Sequence, residues 1–249
     1  MPESVVKVRE VGSAILEIQM HDTASKNTFS AALVEELMVA FKSNAAQPHY
    51  KVVILTGYDS YFASGGTKEG LLYLSDGKAK FSDLDVYSLT LNCPVPVIAA
   101  MQGHGIGGGF VLGMFADFPV LSRESVYTTN FMKYGFTPGM GATFILPQKL
   151  GISLAEEMLI GARTYRGEEL QKRGVPFPVL PRAQITEYVL ELAASIAEKP
   201  RISLVTLKDH LVGPLRAALP AVIEKEVAMH EKTFHLPEVR ERIEALFGT

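Results

Sequence analysis

The chain has 249 residues, 47% of them hydrophobic and 20% charged, a balance that fills a globular core and excludes a disordered chain. Its 24 Lys and Arg against 27 Asp and Glu leave a formal charge of −3, so it lacks the overall basic field that gathers nucleic acid or anionic lipid. One cysteine, Cys93, cannot form an internal disulfide, and Met1-Pro2-Glu3-Ser4 opens no basic-then-apolar leader; a reduced cytoplasmic setting without an export signal is expected.

Two strand-like runs come first, residues 5–9 and 14–20, joined by the turn Val11-Gly12-Ser13 as a hairpin. Leu33, Val34, Leu37 and Phe41 then recur at helical spacing behind Ser30, which predicts a helix over 30–41 with Ser30 as its N-cap. Lys51-Val52-Val53-Ile54-Leu55-Thr56 is almost wholly apolar and suits a strand buried on both faces. The same grammar recurs with a strand at 95–100, a glycine-rich loop, a helix at 108–115 and a strand at 118–122. Beyond residue 150 the pattern turns helical, at 153–160, 167–172, 182–198, 203–212 and 217–247 with a break at Pro237. Glu198-Lys199-Pro200 reads as a joint between an α/β core, residues 1–198, and a helical C-terminal part, residues 199–249.

From Val86 to Ala116 the chain holds no Lys, Arg, Asp or Glu. Pro94, Pro96, Gln102, His104 and the glycines interrupt that stretch, and a lipid-exposed helix could not satisfy the backbone groups they free. Buried core is expected, and no membrane or nucleic-acid partner.

Within this stretch Gly103, Gly105 and Gly108 satisfy G-x-G-x-x-G between a strand and a helix. A dinucleotide fingerprint also needs an acidic residue about twenty positions on, and Phe131 occupies that region. A second small-residue loop, Phe62-Ala63-Ser64-Gly65-Gly66-Thr67, follows the other buried strand. Two loops of this kind can each turn an unpaired N–H toward one point and form an oxyanion hole, with the helix after Gly108 adding its positive end. No His, Cys, Asp and Glu cluster has metal-ligand spacing, so no metal is expected.

These segments resemble the crotonase (enoyl-CoA hydratase/isomerase) superfamily. Phe62–Thr67 is similar to its F-x-A-G-A-D loop, Ile98–Gly109 to its I-A-A-x-x-G-x-A-x-G-G-G segment, and Thr137–Thr143 to its P-G-x-G-G-T turn. The resemblance implies a spiral of ββα turns with a helical C-terminal part that forms a homotrimer. It implies thioester-oxygen donors at the Gly66 and Gly108 amides, flanked by Gly65 and Gly107, and an acyl thioester on coenzyme A or on a carrier protein's phosphopantetheine, with no further cofactor.

Where hydratases of that family carry two glutamates, this chain has Val111 and Phe131. Hydration and simple double-bond shuttling therefore lose their base. Loss of CO2 needs none, because the departing carboxylate leaves its electron pair in a dienolate that two N–H donors stabilise. It requires a cation for the carboxylate and an acid to reprotonate carbon. Lys68, Lys78 and Lys80 lie after the first loop and His230 lies on a C-terminal helix.

The combination of Gly65-Gly66-Thr67, the lysines of 75–81, Val111, Phe131 and Ala228-Met229-His230-Glu231 resembles the decarboxylating branch found in polyketide β-branching cassettes. That resemblance implies conversion of a 3-methylglutaconyl thioester on an acyl carrier protein to 3-methylcrotonyl. Lys80, with Lys78 as the alternative, would meet the carboxylate, and His230, titrating in the useful range, would return the proton. Val111 and Phe131 would line the pocket and exclude water.

Isomerisation or thioester hydrolysis on coenzyme A, and a non-catalytic trimeric homologue, are the alternatives. Lys78 and Lys80 as solvated surface lysines, and His230 as a packed structural histidine, are the rival readings of those side chains. His104 ranks second among the histidines. A carrier protein's acidic helix would seek a basic patch, for which Lys42, Lys51, Lys68 and Lys149 are candidates.

Overall fold

The structure, a computed structural model, describes residues 4–247. The opening Met1-Pro2-Glu3, part of the stretch read above as free of an export signal, lies outside them.

The hairpin forms from β1 (Val6–Val11) and β2 (Ile15–Met20), paired antiparallel. Helix α1 (Ala31–Val39) follows, its first turn capped by the Ser30 hydroxyl, which accepts from Leu33 N–H at 3.2 Å. It runs on into a π turn over Ala40–Asn44.

Three ββα turns come next. They are β3 (Val52–Thr56), β4 (Tyr61–Ala63) and α2 (Lys68–Ser75); then, after a short α3 (Leu89–Asn92), β5 (Val97–Met101), β6 (His104–Ile106) and α4 (Gly108–Met114); then β7 (Phe118–Ser122), β8 (Val126–Thr128) and α5 (Ala142–Leu150). Helix α6 (Ile152–Gly161), β9 (Thr164–Arg166), α7 (Gly167–Lys172), β10 (Val179–Leu180), α8 (Arg182–Ala197), α9 (Arg201–Thr233) and α10 (Pro237–Leu246) complete the chain.

Each turn gives its first strand to a six-stranded sheet, ordered β1-β2-β3-β5-β7-β10, and its second to a four-stranded sheet, ordered β4-β6-β8-β9. This alternation is the α/β spiral that the family resemblance implies. β3 shows why its run is nearly all apolar: side chains alternate across a strand, so Val52 and Ile54 pack under Ile185, Val189 and Ala193 of α8, while Val53 and Leu55 enter the main core with Val97 and Ala99. Each such fully buried side chain contributes about 1.5–3 kcal/mol.

Some elements depart from the sequence reading. The break expected between 212 and 217 is absent, because α9 runs unbroken through Pro214 and Pro220. Its packing against α5 and α3 outweighs the helix-interior cost of those prolines. The break at Pro237 does occur, with Pro237 starting α10, where a proline's missing N–H costs nothing. β4, β6, β8, β9, β10, α2, α3 and α5 were not anticipated, four of them being three-residue strands too short to show a period. Among the described residues no helix is long and apolar enough to cross a membrane.

Candidate active site

β4 and β6 lie side by side and parallel, with Tyr61 opposite His104 and Ala63 opposite Gly105. The two small-residue loops therefore leave the small sheet at the same end. Gly65, at φ +76°, is packed so tightly that a β-carbon there would lie 2.8 Å from the Ile106 carbonyl oxygen and 3.5 Å from the Gly108 nitrogen. Gly107, at φ +54°, precedes α4 and donates its N–H to the Thr128 carbonyl at 2.9 Å. Neither the Gly66 N–H nor the Gly108 N–H has a protein acceptor among the described residues. Both loops thus meet, with two unclaimed amides.

The next loop residue, Thr67, caps α2, its hydroxyl accepting from Gly70 N–H at 3.0 Å. It holds the end of the first loop in place of the family's usual aspartate. Met140, in the left-handed region at φ +62°, lays its thioether against the α-carbon of Gly108 beside Phe29.

Val111 is fully buried on α4 and Phe131 nearly so, its ring beside Gly107 and edge-on to Phe136 at 6.1 Å. The walls where carboxylates stand in hydratases are apolar.

Lys80 and His230 border the same small cavity, about 20 Å³, with Phe81, Val227, Glu231 and His235. Lys80 Nζ lies 3.8 Å from Glu231 Oε1, both side chains about half exposed. Lys78 is elsewhere: it pairs with Asp76 at 2.8 Å and sits over the Tyr73 ring. The larger cavity, about 550 Å³, runs between the 80–92 segment and α9 and shares Lys80. Of these two cavities the small one is lined by both Lys80 and His230; it has room for about one water, and Gly66, Gly108, Val111 and Phe131 line neither.

The His230 ring is enclosed by Phe81, Phe136 and Phe234 at centroid distances of 4.8, 5.8 and 5.0 Å. Its Nε2 is buried without a hydrogen-bond partner and faces Gly139, where a β-carbon would be 3.0 Å away. Burial pushes its pKa down to about 4, opposed by a hydrogen bond to the Thr137 backbone and by the Glu231 charge. This departs from the expectation that His230 titrates near neutrality: its burial favours the uncharged ring.

His104, inside the glycine loop, hydrogen-bonds backbone as that position allows, its Nδ1 accepting from Val126 N–H at 3.0 Å. Of the lysines named for a docking patch, Lys51, Lys68 and Lys149 are tied to the fold, donating to the carbonyls of Ala197, Glu244 and Ala116 at 2.8, 3.1 and 2.8 Å. Burial also lowers the Lys149 pKa.

Sequence reasoning missed the aromatic enclosure and a buried carboxylate. Phe234 lies four residues beyond His230 and so on the same helical face, a signal present in the sequence. Phe81 and Phe136 arrive from distant segments and carried none. Glu226, four residues before His230, is fully buried, and its oxygens accept from Gly141 N–H at 2.7 Å, Thr143 N–H at 2.9 Å and the Thr143 hydroxyl at 2.5 Å.

Two glycine loops with unclaimed amides on a ββα spiral mark the enoyl-CoA hydratase/isomerase family; its sequence profile matches residues 10–247, and the chain belongs to it. At 64% identity over 248 residues, covering both chains completely, the chain is similar to the bacillaene synthase decarboxylase PksI of Bacillus subtilis. It is also similar, at 63% identity and a TM-score of 0.98 over 99% of this chain and 100% of the other, to a solved structure from a dehydratase/decarboxylase enzyme couple involved in polyketide β-branching. The ECH2 decarboxylase domain of CurF from Lyngbya majuscula matches at 48% identity and a TM-score of 0.94, over 98% of this chain and 100% of that domain.

Proposed function

We propose that this chain is a decarboxylase in polyketide β-branching, converting a 3-methylglutaconyl-type thioester on an acyl carrier protein to the 3-methylcrotonyl thioester. The observation that carries the reading is that Lys80 and His230 line one cavity, while buried Val111 and Phe131 stand where hydratases carry glutamates. The 64% identity to a protein named as a decarboxylase supports it.

The thioester oxygen accepts from the Gly66 and Gly108 amides, and the Lys80 ammonium pairs with the substrate carboxylate. The bond between that carboxylate and the γ-carbon breaks, CO2 leaves, and the electron pair moves through the conjugated system onto the thioester oxygen as a dienolate. The two amides oppose the charge that gathers there, a stabilisation worth about 3 kcal/mol per donor. His230 returns a proton to the γ-carbon. An anion arriving beside the imidazole favours its charged form, which brings the proton in with the substrate. The electron count closes without a redox partner.

A carrier protein delivers the substrate on phosphopantetheine, an arm it shares with coenzyme A. The chain works as a homotrimer in the cytoplasm, residues 199–249 mediating assembly. Ile202, Leu207 and Leu211, exposed at 73, 58 and 64% on α9, support that reading.

Incubation with 3-methylglutaconyl-carrier protein and, separately, with crotonyl-CoA tests the assignment by mass. Loss of CO2 from the first is expected. Water added to the second, with the first untouched, overturns it.

A further inference from the structure

Three residues of α9 grip one turn of chain. Glu226 accepts from Gly141 N–H and from Thr143, His230 faces Gly139 and the Thr137 backbone, and the Thr233 hydroxyl accepts from Thr137 N–H at 3.3 Å and shares a hydrogen bond with the Thr137 hydroxyl at 3.0 Å. Spacings of four and then three residues put all three on one helical face. Of the three, His230 alone leaves a buried ring nitrogen unpartnered, so its own contacts hold it least.

Glu226 grips harder. Its carboxyl caps α5 from another helix, accepting from the N–H of Gly141, just before the helix, and of Thr143 in its first turn; burial raises its pKa and these hydrogen bonds oppose that. Gly141, at φ +76°, cannot be replaced to compensate, since a β-carbon there would lie 2.7 Å from Phe115. The same turn carries Met140, which rests on Gly108. The register of α9 against this turn therefore sets where the imidazole stands relative to the oxyanion glycine.

We propose that Glu226 is a positioning residue: by locking α9 to the 137–143 turn it aims the His230 imidazole at one carbon of the dienolate. This rests on the reading of His230 as proton donor. The dienolate accepts a proton at either of two carbons. At the γ-carbon it becomes 3-methylcrotonyl, and at the α-carbon 3-methylbut-3-enoyl, so the product ratio reports where the acid points. A loss of fold that merely lowers the amount of active enzyme leaves that ratio unchanged.

The test measures CO2 release and the α-to-γ product ratio by NMR, with 3-methylglutaconyl-carrier protein as substrate, for the wild type, E226Q, E226D, T143A and H230A. In E226Q an amide replaces one carboxylate oxygen and opposes an N–H donor. CO2 release is expected to fall less than 10-fold while the α-protonated fraction rises at least 5-fold, toward the value in H230A. E226D, which keeps the charge, is expected to restore part of the ratio. T143A removes a single hydroxyl and shifts the ratio the same way by a smaller factor, which keeps the test alive should both Glu226 variants fail to fold. A wild-type ratio in E226Q or, failing that, in T143A, with the ratio shifted in H230A, overturns the role of Glu226 alone. A wild-type rate and ratio in H230A overturn both this proposal and the reading beneath it.

Discussion

The Lys80 ammonium stands 3.8 Å from the Glu231 carboxylate, next in sequence to His230. Half-exposed pairs at such a distance are weak, worth under about 1 kcal/mol, so a substrate carboxylate can take the ammonium over at little cost. Lys78 is already committed to Asp76 and lies outside the cavity. Replacement Lys80→Met is expected to lower kcat/KM for decarboxylation at least 100-fold, and Lys78→Met less than 3-fold. Steady-state CO2 release checks both; equal losses would move the carboxylate contact away from Lys80.

The pH dependence of folding follows from His230. Its pKa is about 4 in the folded chain against an ordinary 6.5. Between those values the unfolded chain binds a proton that the folded chain refuses, so stability rises with pH there. It is fully present above about 6.5 and is lost as pH falls toward 4, by about 2 kcal/mol between pH 7 and 4.5. The protein has no tryptophan, so urea unfolding is followed by circular dichroism at the two pH values. In His230→Gln that part of the acid sensitivity is expected to disappear.

The glycines of the two loops differ in what a methyl group would meet. On Gly65 it would press on the Ile106 carbonyl from a left-handed backbone, whereas on Gly108 it would meet two side chains, the flexible thioether of Met140 and, 3.0 Å away, the edge of the Phe29 ring. Gly65→Ala is accordingly expected to cost fold and activity together, with a Tm several degrees lower. Gly108→Ala is expected to hold its Tm within about 2 °C, by moving Met140, and to lose at least 10-fold in kcat. Thermal melts beside rate measurements separate the two.

Restoring a hydratase glutamate does not restore hydration. Val111 has no exposed surface, and a carboxylate there lies among apolar side chains. Val111→Glu is expected to destabilise the chain by about 3 kcal/mol or more and to add no water to crotonyl-CoA. Melting curves and a mass assay with that thioester check it.

Legibility in the sequence followed how local each cause is. β3 and the hairpin were readable because alternation and turn residues act over a few positions, and Ser30 could be placed as a cap for the same reason. Gly65 was readable because backbone that must approach backbone admits little else. β6, β8 and β9 were not, since each is only three residues long and exists by pairing with distant chain. The continuity of α9 through two prolines comes from tertiary packing that no local propensity reports. His230 was visible as a residue but its neutral state was not, because three phenylalanines from three parts of the chain create it.

The adjacent strands β4 and β6 bring both amide donors into place before any side chain of α9 is involved. In the proposed mechanism, charge stabilisation and proton delivery thus belong to separate modules of the molecule, one made of main chain and one of replaceable side chains. On a scaffold divided in this way, a change of α9 side chains would alter proton delivery and leave the main-chain donors where β4 and β6 put them.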